Sequence, residues 1–356
     1  MRIFQIAVIE GAGIGVDGTR EALKVVEAVA ALDGAEFSWS HFPWGTDYYF
    51  EHGRMAAADY LDQLAPHDAL LLGAVGHPDV QDHITLNGLL LPIRRRFDQA
   101  ICLRPAFLYE GVQSPLRDKP PESIDMLVFR ENTEGEYANI GGRLYQHSDH
   151  DVAVQTSVFT RRGCERIIRA AFDRAMTRPR KRVASITKSN AQGYGMVLWD
   201  ETFAAVSKDY PEIKTESLLI DRAAMEFVRR PESFDVVVAS NLFGDILTDL
   251  AAIVVGSMGL AASANIAVDR RNLSMFEPVH GSAPDIAGQG IANPLAAILS
   301  AAMMLEHLEL PQAASAVHAA VKALLKEGKT LPPDLGGTAH TEVVGDRVAA
   351  LAGGRQ

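Results

Sequence analysis

Phe4-Gln-Ile-Ala-Val-Ile9, running into Glu10-Gly-Ala-Gly-Ile-Gly15-Val-Asp-Gly18, reads as a short apolar strand feeding a glycine-rich turn. How that turn is read decides the fold. An amphipathic stretch from Thr19 to Leu32 follows, so the chain opens strand–turn–helix. Gly13-Ile-Gly15-Val-Asp-Gly18 formally matches G-x-G-x-x-G, and Glu36 stands roughly where a ribose-binding acid would. Alone, this suggests a Rossmann dinucleotide site. The plainer reading is a tight turn that needs positive φ, a conformation glycine adopts freely. The pattern is short, glycine is common in this chain, and the motifs further on argue for a different cofactor site.

Working outward, His67–Val75, Ile124–Phe129, Arg182–Ile186 and Phe234–Ala239 read as further buried-type strands. Helical patterns lie between them, such as Arg161–Ala175 with Thr160 as its N-cap. Strands alternating with helices predict an α/β sheet. Asn293–Leu310 and Ala313–Lys326 are rich in Ala and Leu and read as core helices. Arg117–Glu122 reads as a surface turn. No repeat or flexible linker marks a domain boundary, yet 356 residues exceed the usual single-core size and predict two lobes.

The composition, 47% hydrophobic and 22% charged, is that of a globular chain. A net charge of −11 opposes nucleic acid or an anionic membrane as the main partner. Any anion site must then be built from locally gathered arginines. No apolar run is long enough to span a bilayer, and the N-terminus reads as a strand and not as a signal peptide. Cys102 and Cys164 have no metal-type spacing, and a reducing cytoplasm suits them.

The strongest local signal is Asn241-Leu-Phe-Gly-Asp245-Ile-Leu-Thr-Asp249-Leu. A helix puts Asp245 and Asp249 on one face, where like charges repel unless a cation compensates. Hard oxygen ligands suit Mg²⁺ or Mn²⁺; the alternative is a solvated helix face. Asp221, ending Ser217-Leu-Leu-Ile, is a candidate third ligand, though alone it is no better than a turn aspartate. Arg94, Arg104 and Arg130 are candidates to grip carboxylates with their two-pronged donors. Taken singly, each arginine reads better as a surface ion pair, and Arg95 and Arg96 are read that way. Lys188 in Thr187-Lys-Ser-Asn190 follows a strand, where a lysine with lowered pKa acts as a base; Tyr137 is a candidate proton donor. An exposed lysine and a half-buried tyrosine are the plain alternatives. Glu277–Pro294 is dense in Gly, Ser and Pro and reads as a long ordered loop. Its backbone N–H groups suit a pyrophosphate, and Asp285 suits ribose hydroxyls.

RENTEGEY (130–137), TKSN (187–190), NLFGDILTDL (241–250) and EPVHGSAPDIAGQGIANP (277–294) together resemble the β-decarboxylating dehydrogenases, over essentially the whole chain. That family contains isocitrate, isopropylmalate, homoisocitrate, tartrate and D-malate dehydrogenases. FPWGTDYYFEHGRM (42–55), GAVGHP (73–78), LLLPIRRRFDQ (89–99) and PLRDKP (115–120) lean toward its tartrate/D-malate branch. The resemblance implies an isopropylmalate dehydrogenase-like fold of two α/β domains sharing a mixed sheet, not Rossmann. Residues 1–103 plus 257–356 would form the larger, cofactor-side domain. Residues 104–256 would form the smaller one, with a dimerisation arm and the metal-site helix.

It further implies a homodimer with shared sites, Lys188 and Asp221 completing the neighbour's cleft. Arg94, Arg104 and Arg130 would clamp the substrate carboxylates. Mg²⁺ or Mn²⁺ on Asp221, Asp245 and Asp249 would acidify the C2 hydroxyl, Lys188 would take its proton, and NAD the hydride. CO2 would then leave and Tyr137 would protonate the enolate. His280, Gly281, Ser282, Ala283, Asp285, Ile286 and Asn293 would bind NAD, and a monovalent cation such as K⁺ is an optional addition. 3-Isopropylmalate is the alternative substrate. A catalytically silent regulatory subunit is a remote alternative, opposed by the full set of aspartates, lysine and tyrosine. Two departures stand out: Glu10-Gly-Ala12-Gly-Ile-Gly15 replaces the usual Pro-Gly-Asp-Gly-Ile-Gly, and Ala191–Trp199 departs from the tartrate-branch continuation.

Overall fold

Residues 2–354 are described by a computed structural model of the chain. Twelve strands form among the described residues: β1 (Arg2–Gly11), β2 (Ala35–His41), β3 (Ala69–Ala74), β4 (Ile101–Phe107), β5 (Asp125–Glu131), β6 (Gly135–Leu144), β7 (Val152–Val158), β8 (Arg182–Thr187), β9 (Lys214–Leu219), β10 (Val236–Ala239), β11 (Ala262–Ile266) and β12 (Met275–Pro278). Ten join one sheet in the order β2-β1-β3-β12-β11-β4-β5-β10-β8-β9. Pairing is parallel at both flanks but antiparallel at β12–β11, β11–β4 and β4–β5. This mixed order is not the all-parallel, doubly wound Rossmann sheet. β6 and β7 form a separate two-stranded antiparallel ribbon.

The opening turn is tighter than its composition suggests. The first helix runs Ile14–Val29, starting earlier than the expected Thr19. Gly15 and Gly18 lie inside it because they serve close packing: a Cβ on Gly15 would lie 2.2 Å from the Ala74 nitrogen. Gly13, at φ +58, has Ser282 O where its Cβ would be, 2.0 Å away. Ile14 N donates to Ser282 O at 2.8 Å, Gly15 N to Ala12 O at 3.1 Å and Val16 N to Gly13 O at 3.3 Å. The amides a phosphate would need are already used.

Elsewhere the sequence pattern is realised closely. The helix Arg161–Met176 is capped by Thr160, whose Oγ1 accepts from Gly163 N at 2.9 Å. It buries Cys164, Ile167, Ile168, Ala171, Phe172 and Ala175 at helical spacing. Phe172 is fully buried, so its truncation to Ala would cost about 3–5 kcal/mol. Helix Leu295–His307 is buried on almost every side, as its Ala, Leu and Met content requires. One large apolar cluster joins β1, β11 and the C-terminal helices. A second joins β5, β8 and β10 with the helices between residues 161 and 254. Both cysteines are buried free thiols. Among the described residues no helix is long and apolar enough to cross a membrane.

Candidate active site

The C-terminal ends of the parallel strands β5, β10, β8 and β9 deliver the polar groups, as expected for ligand sites in α/β sheets. Arg130, the penultimate residue of β5, is paired in register with Ala239 of β10. After β10, Ser240 leads into the helix Asn241–Val254, which carries Asp245 and Asp249 on one face. Gly244 is needed here, since a Cβ would lie 2.7 Å from Arg130 Cβ. Arg104 comes from β4, antiparallel to β5, and Arg94 from the helix Leu91–Arg96.

The three arginines and Asp245 line one cleft. Its walls include Arg94, Arg104, Arg130, Tyr137, Asp245 and the segment Glu277–Gly281. Asp245 is the hub. Tyr137 Oη donates to its Oδ2 at 2.8 Å, Arg104 Nη1 to its Oδ1 at 3.2 Å, and Arg130 Nη1 also donates to Oδ1. Burial alone would raise the Asp245 pKa, but Arg130, Arg104 and the Tyr137 hydroxyl outweigh it and hold the carboxyl below its usual range. Tyr137 is pushed the other way, by burial and then by Asp245. Asp249, one helical turn on, is exposed, and its pKa is raised by partial desolvation and by Asp245. It has no ion-pair partner among the described residues.

The three arginines are not equivalent. Arg130 spends Nε and Nη2 on Asn241 Oδ1, at 3.0 and 2.7 Å, and Nη1 on Asp245. Arg94 and Arg104 each keep a buried Nε with no partner. Arg94 Nη2 donates to Glu277 Oε1 at 3.0 Å, and Arg104 Nη1 to Thr248 Oγ1 at 2.7 Å. Arg96 faces Asp62 at 3.7 Å as a surface pair. Arg95 does not match that expectation: its Nη2 donates to the backbone oxygen of Tyr137 at 2.7 Å.

Lys188 and Asp221 lie outside this cleft in the single chain. They pair with each other, Nζ to Oδ1 at 2.5 Å. Asp221 belongs to the first turn of the helix Ile220–Arg229 and is not a strand-end turn residue. Asp245 and Asp249 offer hard oxygens that fit Mg²⁺ or Mn²⁺, but among the described residues no three acidic, histidine or cysteine side chains converge. The donor set is chemically right and incomplete in one chain.

The expected cofactor loop borders the same cleft through His280 and Gly281. His280 Nδ1 contacts Gly281 O at 3.0 Å, while Nε2 is buried with no partner. Burial lowers its pKa, favouring neutral imidazole. Ser282 O is taken by Ile14, and Ala283 adopts φ +38. Ile286 N donates to Ala283 O at 3.1 Å, while Asp285 is exposed. Asn293 is occupied, its Oδ1 accepting from Leu295 N and its Nδ2 donating to Asp334 Oδ2, both at 2.9 Å. The orphan His280 nitrogen and the open backbone at Gly281 fit a ligand with polar groups, as a dinucleotide has.

Sequence reasoning missed the supports. Glu131 accepts from Thr133 N and Glu134 N at 2.9 and 2.8 Å, Glu134 from Thr160 N at 2.9 Å, and Glu136 from Leu242 N at 3.3 Å. The acids of RENTEGEY therefore brace the turn before Tyr137. Leu86 and Leu90, from the helical segment that leads to Arg94, line the cleft. Asn87 turns back to donate to His83 O at 2.8 Å, in a wide helical turn.

The fold, the cleft and the family to which the chain belongs together define an oxidative, decarboxylating dehydrogenase of a class that acts on small hydroxy acids. The chain belongs to the isocitrate/isopropylmalate dehydrogenase family, whose pattern it matches over residues 5–348. It is 47% identical to a probable tartrate dehydrogenase/decarboxylase of Agrobacterium vitis and 47% identical to the D-malate dehydrogenase [decarboxylating] of Escherichia coli K12. Each alignment covers 99% of both chains. The fold superposes on the crystal structure of isocitrate dehydrogenase from Methylococcus capsulatus with a TM-score of 0.86 and 34% identity, covering 98% of this chain and 100% of that one. NAD(P) and a divalent metal are typical of the family.

Proposed function

We propose that this chain catalyses the NAD- and divalent-metal-dependent oxidation and decarboxylation of a small 2-hydroxy dicarboxylic acid, with D-malate and tartrate as its substrates. The observation that carries this reading is the convergence of Arg94, Arg104, Arg130, Tyr137 and Asp245 on one cleft. The names of the relatives similar over nearly their whole length support the choice of acid.

Arg94 and Arg104, each with an unspent Nε, grip the substrate carboxylates. Arg130 adds positive charge and fixes Asp245. Asp245 and Asp249 hold Mg²⁺ or Mn²⁺ together with Asp221 of a second copy; Lys188 of that copy takes the hydroxyl proton. When bound, the metal supplies Lewis-acid polarisation and NAD supplies the hydride acceptor. Tyr137 delivers a proton to the enolate carbon left by CO2. His280, Gly281, Ser282, Ala283, Asp285, Ile286 and Asn293 line the NAD site, Asn293 through its backbone. A monovalent cation such as K⁺ is an optional addition.

The working unit in this reading is a homodimer, assembled in part by the β6–β7 ribbon, whose Ile140, Leu144, Val152 and Val154 are exposed in one chain. The division into residues 1–103 plus 257–356 and 104–256 is supported by the two apolar clusters, which fall on either side of it. Two free buried thiols suit a cytoplasmic protein.

Steady-state kcat/KM for D-malate, both tartrates, 3-isopropylmalate and isocitrate, with NAD and Mn²⁺, tests the proposal. D-malate and a tartrate should both turn over, since a hydrocarbon wall of Leu86 and Leu90 rejects an added hydroxyl only about a hundredfold. That wall admits an isopropyl group too, so the ranking rests on whole-chain similarity. An advantage of about tenfold or more for 3-isopropylmalate over every other acid would overturn the substrate assignment.

A further inference from the structure

A directed chain of buried polar side chains ends on Arg94. Its origin is a backbone carbonyl, Gln99 O, which can only accept. Asn132 Nδ2 donates to it at 2.9 Å, so the amide orientation of Asn132 is fixed. The same Nδ2 donates to Asn265 Oδ1 at 2.9 Å, which fixes Asn265 in turn. Asn265 Nδ2 then donates to Glu277 Oε1 at 2.7 Å, and that oxygen also receives Arg94 Nη2 at 3.0 Å. Asn132 and Asn265 are 1% and 0% exposed, so water does not substitute for either bond. Asn132 follows β5, Asn265 lies on β11 and Glu277 on β12, so the chain ties two strands and the end of a third to the cleft.

We infer that Asn265, which lies off the cleft wall, is a positioning residue that keeps Arg94 available to the substrate carboxylate. The inference rests on the proposed role of Arg94 as a carboxylate clamp. A free Glu277 would turn and take the guanidinium with both oxygens, the geometry arginine and carboxylate favour. Asn265 holds Oε1 in place, so Glu277 engages Nη2 alone and leaves the buried Nε unspent. Removing the Asn265 donor releases Glu277 to capture Nε, and the substrate then competes with a carboxylate of the protein.

A double-mutant cycle on the full-length enzyme, with D-malate and NAD as probes, tests this. Asn265→Ala should raise the D-malate KM about tenfold, with a smaller change in kcat and an unchanged NAD KM. In an Arg94→Ala background the same substitution should add nothing. An unchanged D-malate KM, an equal rise in both KM values, or additive losses would overturn the inference. If Arg94→Ala alone leaves the D-malate KM unchanged, the clamp reading fails first and the inference with it. Should Asn265→Ala not fold, Asn265→Leu keeps the size, removes the donor, and must meet the same outcomes.

Discussion

Lys188 Nζ lies 2.5 Å from Asp221 Oδ1, and neither side chain lines the cleft that gathers Arg94, Tyr137 and Asp245. The two leave neighbouring parallel strands, Thr187 standing opposite Leu219, so the pairing follows from the register of β8 and β9. The Lys188 hydrogen bond holds the Asp221 carboxyl below its ordinary range. A base and an acid so paired, with the Asp221 side chain 59% exposed, are presented outward. If they complete a second copy's cleft, inactive Lys188→Ala subunits mixed with inactive Tyr137→Phe subunits should regain activity as hybrid dimers. No recovery, with subunit exchange verified by mass spectrometry, would count against sites shared between copies.

Asp245→Asn should abolish metal-dependent turnover while circular dichroism still reports a folded protein. The substitution keeps shape but removes the charge that Arg104 and Arg130 face, so some loss of thermal stability should accompany it. Exhaustive chelation of the unsubstituted protein should have the same effect on activity, reversed by Mn²⁺. Full activity after chelation would exclude a metal at Asp245 and Asp249.

Asp285 is exposed on the loop that borders the cleft through His280. A carboxylate accepts from ribose hydroxyls and repels an added phosphate dianion. NAD should therefore be preferred over NADP by at least about tenfold in kcat/KM, roughly 1.4 kcal/mol. Asp285→Asn should narrow that ratio. Equal kcat/KM with the two cofactors in the unsubstituted enzyme would refute the assignment.

Gly13→Ala carries two penalties, a positive φ and a Cβ only 2.0 Å from Ser282 O. The loop after His280 must shift to accommodate it, at a cost on the order of 1–3 kcal/mol. The expected outcome is a higher KM for NAD with a smaller change in the KM for the hydroxy acid. The reverse ordering would show that the turn does not support the cofactor side.

Legibility in the sequence followed the range of the interaction. Asp245 and Asp249 four residues apart, and Thr160 ahead of an apolar stripe, are local patterns with a fixed period. The mixed sheet and the meeting of Arg94, Arg104 and Arg130 join segments far apart in the chain, and only the family resemblance suggested them. Nothing in a window around Asn265 or Glu131 announces a buried partner. The start of the first helix was misplaced for a related reason: Gly15 and Gly18 looked like turn residues, yet they are helical because β3 and the helix Leu295–His307 press against them.

The bond from Ile14 N to Ser282 O bears on any attempt to re-engineer this enzyme. The first helix terminus looks like a vacant phosphate cradle and invites grafting of a dinucleotide motif. The terminus is in fact a rivet: its leading amide fastens the opening turn to the loop after β12, and its glycines seat that turn against Ala74. A graft that freed those amides would also unfasten the loop carrying His280 and Asp285. If that loop holds the dinucleotide as proposed, redesign of the redox partner begins there and leaves the glycine signature untouched.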